Sequence, residues 1–325
     1  MKELRFIVSI LAAAAVLAAC KSTGTAFNPP GGSSIIFGHG ILVSDVVNNQ
    51  ILTFPLDANG ASAMPSATLS GAATSLDQPE GIFVDRHDGT IWVGNYTSGT
   101  SGTITEYAFD ARGNAAPMKT IGGPATTIAG PGGIYVDSSG TLYVADFQTG
   151  DIDVFAAGAS GNVAPTRQIT GLGVLSGLWL DASGNIWVGS PGQSAILEFA
   201  NNTSGAATPI ATIKSPDLGE VIGVYIDGHQ NVWAANCDTK NVVEFAAGST
   251  GSSVTPTVDI SGSNTGFTCP NGIVVDSSGK IYVGDYGAAS VYVFAPGTNG
   301  NVAPTQTIPA NATTTLGKPI GVIVY

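Results

Sequence analysis

A repeat of 44 to 52 residues is the feature that most constrains this chain. Five segments share a glycine that is followed four residues later by an aspartate and then by a second apolar run. The repeated glycines are Gly81, Gly133, Gly177, Gly223 and Gly272. Self-similarity at this period is typical of solenoids and propellers, in which one supersecondary unit is copied along the chain.

Each repeat contains the signals of four short strands. The first two flank a turn at the aspartate, because branched and aromatic residues alternate on both sides of it. A third strand ends in an aromatic residue. The fourth follows a proline, which lacks a ladder donor and so favours a sheet edge. Four strands in a unit of about 40–50 residues predict one propeller blade.

The two ends of the chain complete one blade between them. Residues 41–45 and 51–54 supply second and third strands with no first strand before them, whereas residues 319–325 supply a first strand alone. We therefore predict an all-β fold over residues 35–325. It is a six-bladed β-propeller of four-stranded blades, closed by the C-terminal strand joining the N-terminal blade.

Residues 1–19 predict a lipoprotein signal peptide. Lys2 and Arg5 precede an uncharged stretch over residues 6–19, which is too short to span a bilayer. Leu17-Ala18-Ala19-Cys20 resembles the lipobox of bacterial lipoproteins, which implies that Cys20 becomes the N-terminus and carries fatty acids such as palmitate. The alternative is an ordinary signal peptide with a chance cysteine.

The expected location is the bacterial cell envelope, at the outer membrane or cell surface. Two or more acyl chains hold a protein firmly, so the membrane partner is reached through the N-terminal lipid only. Residues 20–34 are rich in Gly, Pro and Ser and predict a flexible, lipid-anchored tether. The net charge of −12, with only 10% charged residues, argues against nucleic acid as a partner, because phosphate contacts need clustered Lys and Arg.

Two segments resemble NHL repeats: PNGIVVDSSGKIYVGD from Pro270 and PGGIYVDSSGTLYVAD from Pro131. The resemblance extends over residues 35–325 and implies the propeller fold. NHL propellers include protein-binding, RNA-binding, carbohydrate-related and enzymatic modules, so the resemblance leaves the chemistry open.

A more distant resemblance, to gluconolactonase and senescence-marker-protein propellers, implies a metal site. Those relatives hold a catalytic divalent metal with acidic and Asn residues at strand starts, and Glu80 and Asn271 match these positions. Oxygen ligands suit Ca²⁺, which is the candidate cofactor. The other strand starts are Gly132, Ser176, Ile222 and Ile320, so a third carboxylate is missing. The ends of the second strands add polar residues to the same face, namely Asp45, Asn95, Asp146, Ser190, Asn236 and Asp285.

No catalytic residues are predicted, because no nucleophile elbow, zinc spacing or dinucleotide motif is present. The three histidines, His39, His87 and His229, are placed on the face opposite the metal candidates. The leading hypothesis is a monomeric binding or scaffold module for a protein, peptide or glycan partner. The alternative is a hydrolase or lactonase that depends on a divalent cation at the channel mouth.

Three further patterns predict structural roles. Cys237 and Cys269 fall on one face of neighbouring blades, and outside the cytoplasm they are expected to form a disulfide rather than remain free thiols. An aromatic residue recurs in every second strand and predicts packing between blades rather than sugar stacking, with Trp179 expected in the same layer. The aspartates after the first strands, such as Asp137 and Asp227, predict turn stabilisation.

Overall fold

The computed structural model describes residues 26–27, 35–36, 39–97 and 101–325. The expected signal peptide and Cys20 lie outside these residues. Strand β1 (Ala26–Phe27) pairs with β2 (Ile35–Ile36) in a small antiparallel ribbon. In the part of the chain that the structure describes, no helix is long and apolar enough to cross a membrane.

The remaining strands form six four-stranded antiparallel blades, as predicted. Blade one contains β27 (Pro319–Val324), β3 (Gly40–Asp45), β4 (Gln50–Pro55) and β5 (Ala67–Ser70). Blade two contains β6 (Pro79–Asp85), β7 (Thr90–Asn95), β8 (Thr103–Ala108) and β9 (Lys119–Gly122). Blade three contains β10 (Pro131–Val136), β11 (Leu142–Asp146), β12 (Asp151–Phe155) and β13 (Arg167–Thr170).

The second half of the ring repeats this order. Blade four contains β14 (Leu178–Leu180), β15 (Ile186–Ser190), β16 (Ala195–Phe199) and β18 (Ala211–Lys214). Blade five contains β19 (Val221–Ile226), β20 (Val232–Asn236), β21 (Asn241–Phe245) and β22 (Val258–Ser261). Blade six contains β23 (Pro270–Val275), β24 (Ile281–Asp285), β25 (Ser290–Phe294) and β26 (Gln306–Pro309). Two short 3-10 turns span Ala72–Thr74 and Pro191–Gln193, and β17 (Gly205–Ala206) pairs in parallel with β13.

Closure by the C-terminal strand is confirmed. Strand β27 pairs antiparallel with β3, with Pro319 opposite Asp45 and Val324 opposite Ile41. The innermost strand of blade one therefore comes from the opposite end of the chain to its other three strands, which joins the ring without an open seam between blades.

The blades pack through apolar side chains on both faces of each sheet. The aromatic residue near the end of the third strand is fully buried in every blade. These residues are Phe54, Tyr107, Phe155, Phe199, Phe245 and Phe294. Fourth strands lie at the outer edges of five of the six sheets, as predicted from their prolines, and in blade three the two-residue β17 pairs outside the fourth strand.

The recurring aromatic residues of the second strands are also buried, with at most 7% exposure, which confirms packing between blades. Trp187, for example, packs in one cluster with Val221 and Val224 of the next blade. The structure adds a polar reason for their recurrence. The Trp233 indole N–H donates to the carboxylate of Asp227 at 3.1 Å, and the Tyr282 hydroxyl donates to Asp276 at 3.0 Å. The other carboxylate oxygen of Asp227 accepts backbone N–H groups of its own turn, so these aspartates have the predicted structural role.

The predicted disulfide is confirmed. Cys237, which follows β20, is bonded to Cys269, which precedes β23. The bond therefore joins blades five and six on the face where first strands begin.

Candidate functional site

A β-bulge at the start of the innermost strand places residues at the mouth of the central channel. The register of these strands shifts between Pro79 and Ile82 in blade two and between Pro270 and Gly272 in blade six. A bulged residue is unpaired and its side chain is re-aimed, which is a common device beside functional sites. Glu80 and Asn271 occupy these bulges, and both line a cavity of about 340 Å³ at the mouth.

Glu80 is the most perturbed carboxyl of this cavity. Burial raises its pKa to about 7, and the nearby negative charge of Asp146 adds to the effect. A glycine lies beside the carboxyl: a Cβ atom placed on Gly132 would lie 3.6 Å from Glu80 Oε2, and Phe147 lies against the same glycine. Because no Lys, Arg or His among the described residues lines the cavity, none of them offsets the cost of desolvating the ionised form.

Asn271 lies on the other side of the closing strand from Glu80. Strand β27 contacts both β6 and β23, so Ile320 separates the two predicted metal ligands along the ring. Both residues nevertheless line the same mouth of the channel. Glu220 also lines the mouth and is exposed.

The side chains of this mouth do not complete a Ca²⁺ site. Calcium takes about six to eight oxygen ligands, whereas the predicted donors here are one carboxylate and one amide. Among the described residues, no group of three or more His, Cys, Asp or Glu side chains is arranged to hold a metal ion. A Ca²⁺ ion at Glu80 and Asn271 therefore remains a prediction that would depend on ligands from solvent.

The polar residues at the ends of the second strands do not face the mouth, contrary to the expectation from strand direction. They are at most 1% exposed, and four of the six side chains bond to loops. Asp45 accepts the backbone N–H groups of Gly317 and Lys318, and Asp146 accepts those of Ala129 and Gly130. Asn95 and Asp285 likewise accept N–H groups of the loop that enters their innermost strand. The side chains of Ser190 and Asn236 are buried without a hydrogen-bond partner among the described residues.

Four aromatic rings pack together in the middle of the channel, between its two cavities, and form what we call the aromatic plug. Phe83, Tyr135, Trp179 and Tyr225 occupy the same position in the innermost strands of four successive blades. The Trp179 ring centroid lies 5.1 Å from that of Tyr135 and 4.7 Å from that of Tyr225. Trp179, which was expected in the layer of the second-strand aromatics, is the cross-strand partner of Trp187 and packs against its cluster. It also borders the cavities on both sides of the plug.

A larger vestibule of about 1050 Å³ lies on the other side of the plug. Its floor is made by the aromatic plug, and its rim carries the turn aspartates together with Arg86. His39 and His229 also line it, on the predicted face, whereas His87 pairs with the adjacent Asp88. Sequence analysis missed the pattern that forms this floor. An aromatic residue stands two positions after the repeat glycine in four consecutive blades.

Comparison with known proteins supports the fold. The NHL repeat model matches residues 267–294. This segment contains the first three strands of blade six, β23, β24 and β25, and so the predicted NHL resemblance is confirmed there. No curated protein is detectably similar to the chain in sequence.

Solved structures share the propeller architecture at low identity. A protein of unknown function from Bacteroides caccae has a TM-score of 0.65 and 11% identity, covering 89% of this chain and 99% of that one. A protein described as a putative 6-phosphogluconolactonase from Bacteroides uniformis has a TM-score of 0.58 and 14% identity, covering 84% of this chain and 83% of its own. The periplasmic gluconolactonase of Pseudomonas aeruginosa has a TM-score of 0.57 and 13% identity, covering 88% and 98%. At this identity the likeness establishes the fold alone.

Proposed function

We propose that this chain is a lipid-anchored propeller of the bacterial cell envelope that binds a ligand in its central channel without transforming it. The observation that carries this proposal is the aromatic plug. Because Trp179 and its neighbours block the channel, the space on each side is a blind cavity with a floor. Cavities of about 300–1,000 Å³ with apolar walls and a few polar groups are the usual form of small-ligand sites.

The chemistry of the larger vestibule favours binding over catalysis. Its aspartates are already engaged: Asp137 accepts the backbone N–H groups of Ser139 and Thr141, which fixes its turn. Among the described residues, no histidine ring is hydrogen-bonded to a serine, threonine or cysteine side chain. A nucleophile and base within hydrogen-bond reach are the usual signature of covalent hydrolysis. A protein, a peptide or a glycan could present one residue or sugar to this cavity.

The anchor is supported by residues 1–20 alone, where the lipobox-like segment ends at Cys20. Replacement of Cys20 by serine should move the protein from the membrane fraction to the soluble envelope fraction, and fatty-acid labelling should be lost. Retention of the variant on membranes would contradict a purely lipid attachment.

A lactonase is the second candidate, and Glu80 is the observation that favours it. A carboxyl with a pKa of about 7 in an apolar cavity is suited to general acid or base work near neutral pH. The fold is shared with the Pseudomonas aeruginosa gluconolactonase. In this reading, Glu80 would move a proton at the mouth, with or without a divalent cation beside Asn271.

One experiment separates the two candidates. The melting temperature and the hydrolysis of gluconolactone are measured on the same preparation, with peptides, chitin oligosaccharides, Ca²⁺ or a chelator added in turn. A ligand that binds only the folded state raises the melting temperature. The binding module predicts a shift without turnover that is lost in Trp179→Leu. Turnover that is lost in Glu80→Gln but kept in Trp179→Leu would favour the lactonase.

A further inference from the structure

We propose that the larger vestibule binds a protonated organic amine, with the ammonium group among the rim carboxylates and the carbon body on the aromatic floor. This inference rests on the proposed function, because it assigns a ligand class to the same channel. It concerns the vestibule of about 1050 Å³ and not the mouth that contains Glu80.

The rim carries an excess of negative charge. Five carboxylates line the vestibule against a single guanidinium, that of Arg86. The five belong to Asp85, Asp137, Asp227, Glu244 and Asp276. Among the described residues, none of them takes part in an ion pair. A cleft lined by one sign of charge over low-dielectric walls focuses its field and concentrates the opposite charge.

Hydrogen bonds within their turns lower the pKa of two of the rim carboxylates, Asp276 and Asp137. Burial by itself raises the pKa of Asp276, but hydrogen bonds from the Ser278 hydroxyl, the Lys280 and Ser278 backbone N–H groups and the Tyr282 hydroxyl outweigh it and leave the pKa lowered. The same balance, through Ser139 and Thr141, lowers the pKa of Asp137. These two carboxylates therefore keep their negative charge at neutral pH.

The aromatic floor supplies the second feature that binding of an organic cation requires, a set of ring faces. Tyr135, Trp179 and Tyr225 are half-buried rings packed at 4.7 to 5.1 Å between centroids, and all three border the vestibule. Aromatic faces attract cations within about 6 Å, most strongly when water is excluded. The field of the rim reaches this floor: after burial, the charges of Asp137 and Asp85 are the next causes that raise the pKa of Tyr135.

The distribution of charge favours a large cation over a metal ion. The carboxylates come from four different blades around the cavity, and no group of three or more ligating side chains in the described residues is arranged for a metal. A hard cation needs converging oxygens at about 2.3–2.6 Å. A diffuse negative rim above aromatic faces instead suits an ammonium group carried on a carbon skeleton.

The test uses the full chain purified in a neutral detergent and two pairs of probes matched in shape. Calorimetry compares 1,6-diaminohexane with 1,6-hexanediol, and glucosamine with N-acetylglucosamine. The charged member of at least one pair should bind ten-fold or more tightly than its neutral partner. Its affinity should fall as sodium chloride is raised, because salt screens the rim. Binding by the diamine alone, or by glucosamine alone, supports the proposal and identifies the source of the amine.

Two variants and a matched control locate the site. Trp179→Leu should weaken amine binding ten-fold or more, because it removes the centre of the floor. Arg86→Ala should strengthen it several-fold, because it removes the cation from the rim; Arg86 is exposed and its guanidinium donates to the Val324 carbonyl at 3.0 Å. Arg112→Ala removes the same charge from an exposed position outside the vestibule and should leave affinity unchanged. Melting curves verify that each variant is folded. If Trp179→Leu does not fold, Arg86→Ala decides the outcome.

Equal binding of charged and neutral probes, or equal effects of Arg86→Ala and Arg112→Ala, would overturn the proposal. If both amines fail while a neutral oligosaccharide or peptide still raises the melting temperature through Trp179, this inference is wrong and the proposed function stands. If no probe of any class depends on Trp179, both are overturned.

Discussion

Glu80 and the aspartates of the repeat have similar side chains but different surroundings, and the surroundings decide their chemistry. Asp227 accepts N–H groups from its own turn and the indole of Trp233. Asp146 is fully buried and accepts N–H groups from the loop at Ala129. Glu80, at a bulge, has neither kind of partner in the described structure, so burial acts on it without compensation.

We expect Glu80 to make the stability of the protein depend on pH between about 4.5 and about 7. The folded state holds the proton of this carboxyl more tightly than the unfolded chain does, so the stability gained from the neutral form is complete below pH 4.5 and is lost as pH rises through 7. Glu80→Gln cannot ionise and should remove this dependence, a difference of up to about 3 kcal/mol at pH 8.

The measurement is the unfolding free energy in urea at several pH values for both proteins. Asp153 also has a pKa raised by burial, to about 6, but it is present in both proteins and cancels in the difference. Curves that run parallel between pH 4.5 and 8 would contradict the assignment of the raised pKa to Glu80.

At the scale of elements, the fourth strands are sheet edges, and the repeat also supplies the loops that cover them. An edge strand exposes unpaired backbone groups and invites pairing with other chains. Here a loop of the next blade covers each edge: the Gly161 N–H donates to the Thr120 carbonyl at 2.7 Å, and the Gly122 N–H donates to the Gly161 carbonyl at 3.2 Å. Gly161 has a φ of 73°, which favours glycine. Similar backbone bonds place Gly113, Gly251 and Gly300 on the edges of other blades.

A side-chain hydrogen bond fastens several of these loops. Asn162 Oδ1 accepts the Ala125 N–H at 2.7 Å, and Asn114 and Asn301 repeat the contact in two other blades. Asn162→Ala should lower the unfolding free energy by about 1 kcal/mol, because one hydrogen bond between blades is lost. Asn202→Ala is the matched control, since Asn202 is exposed and its side chain has no hydrogen bond among the described residues. Equal effects of the two substitutions on the melting temperature would argue against this role of Asn162.

At the scale of the whole molecule, six glycines allow the ring to close around its channel. A Cβ atom on any of them would lie 2.1–2.8 Å from a backbone atom of the next blade's innermost strand. The ring consists of Gly81, Gly133, Gly177, Gly223, Gly272 and Gly321. Neighbouring innermost strands therefore touch backbone to backbone, and Gly177 N–H donates to the Ile222 carbonyl of the next blade at 2.7 Å.

Gly223→Ala should destabilise the propeller by about 1–3 kcal/mol, the usual cost of overpacking. The added carbon would meet the Asn271 carbonyl oxygen at 2.1 Å, and relief of that clash requires blades five and six to separate. Gly228→Ala adds the same atom to a turn of the same blade, where nothing lies within 4 Å. Chemical denaturation of the two variants should differ accordingly, and a loss of stability confined to Gly228→Ala would refute the close-contact explanation.

Much of the fold was accessible from the sequence because local patterns repeat. The Gly-to-Asp spacing, the turn aspartates and the prolines before fourth strands each reflect a local backbone requirement, and five or six copies make that requirement recognisable. The partial blades at the two ends of the chain predicted how the ring closes. The positions of Cys237 and Cys269 predicted the disulfide.

The candidate site was less accessible, because strand direction gives a face but not the orientation of a side chain. Asp45 and Asp146 lie at the expected ends of second strands, yet their carboxylates turn into loops. Glu80 and Asn271 reach the mouth only because bulges interrupt the ladder. The position of Trp179 in the repeat is visible in the sequence. The rings that pack against it, however, belong to other blades and lie 44 and 46 residues away in the chain.

The sequence by itself determined the number of blades, their strand order and their closure, since these follow from hydrogen bonding and side-chain alternation within each repeat. The tertiary structure alone decided that the channel is blocked, that its two ends differ in size and charge, and that Glu80 lies without a partner in an apolar cavity. The physical reason is that packing, burial and electrostatic potential in the channel are sums over several blades, and no single repeat contains them.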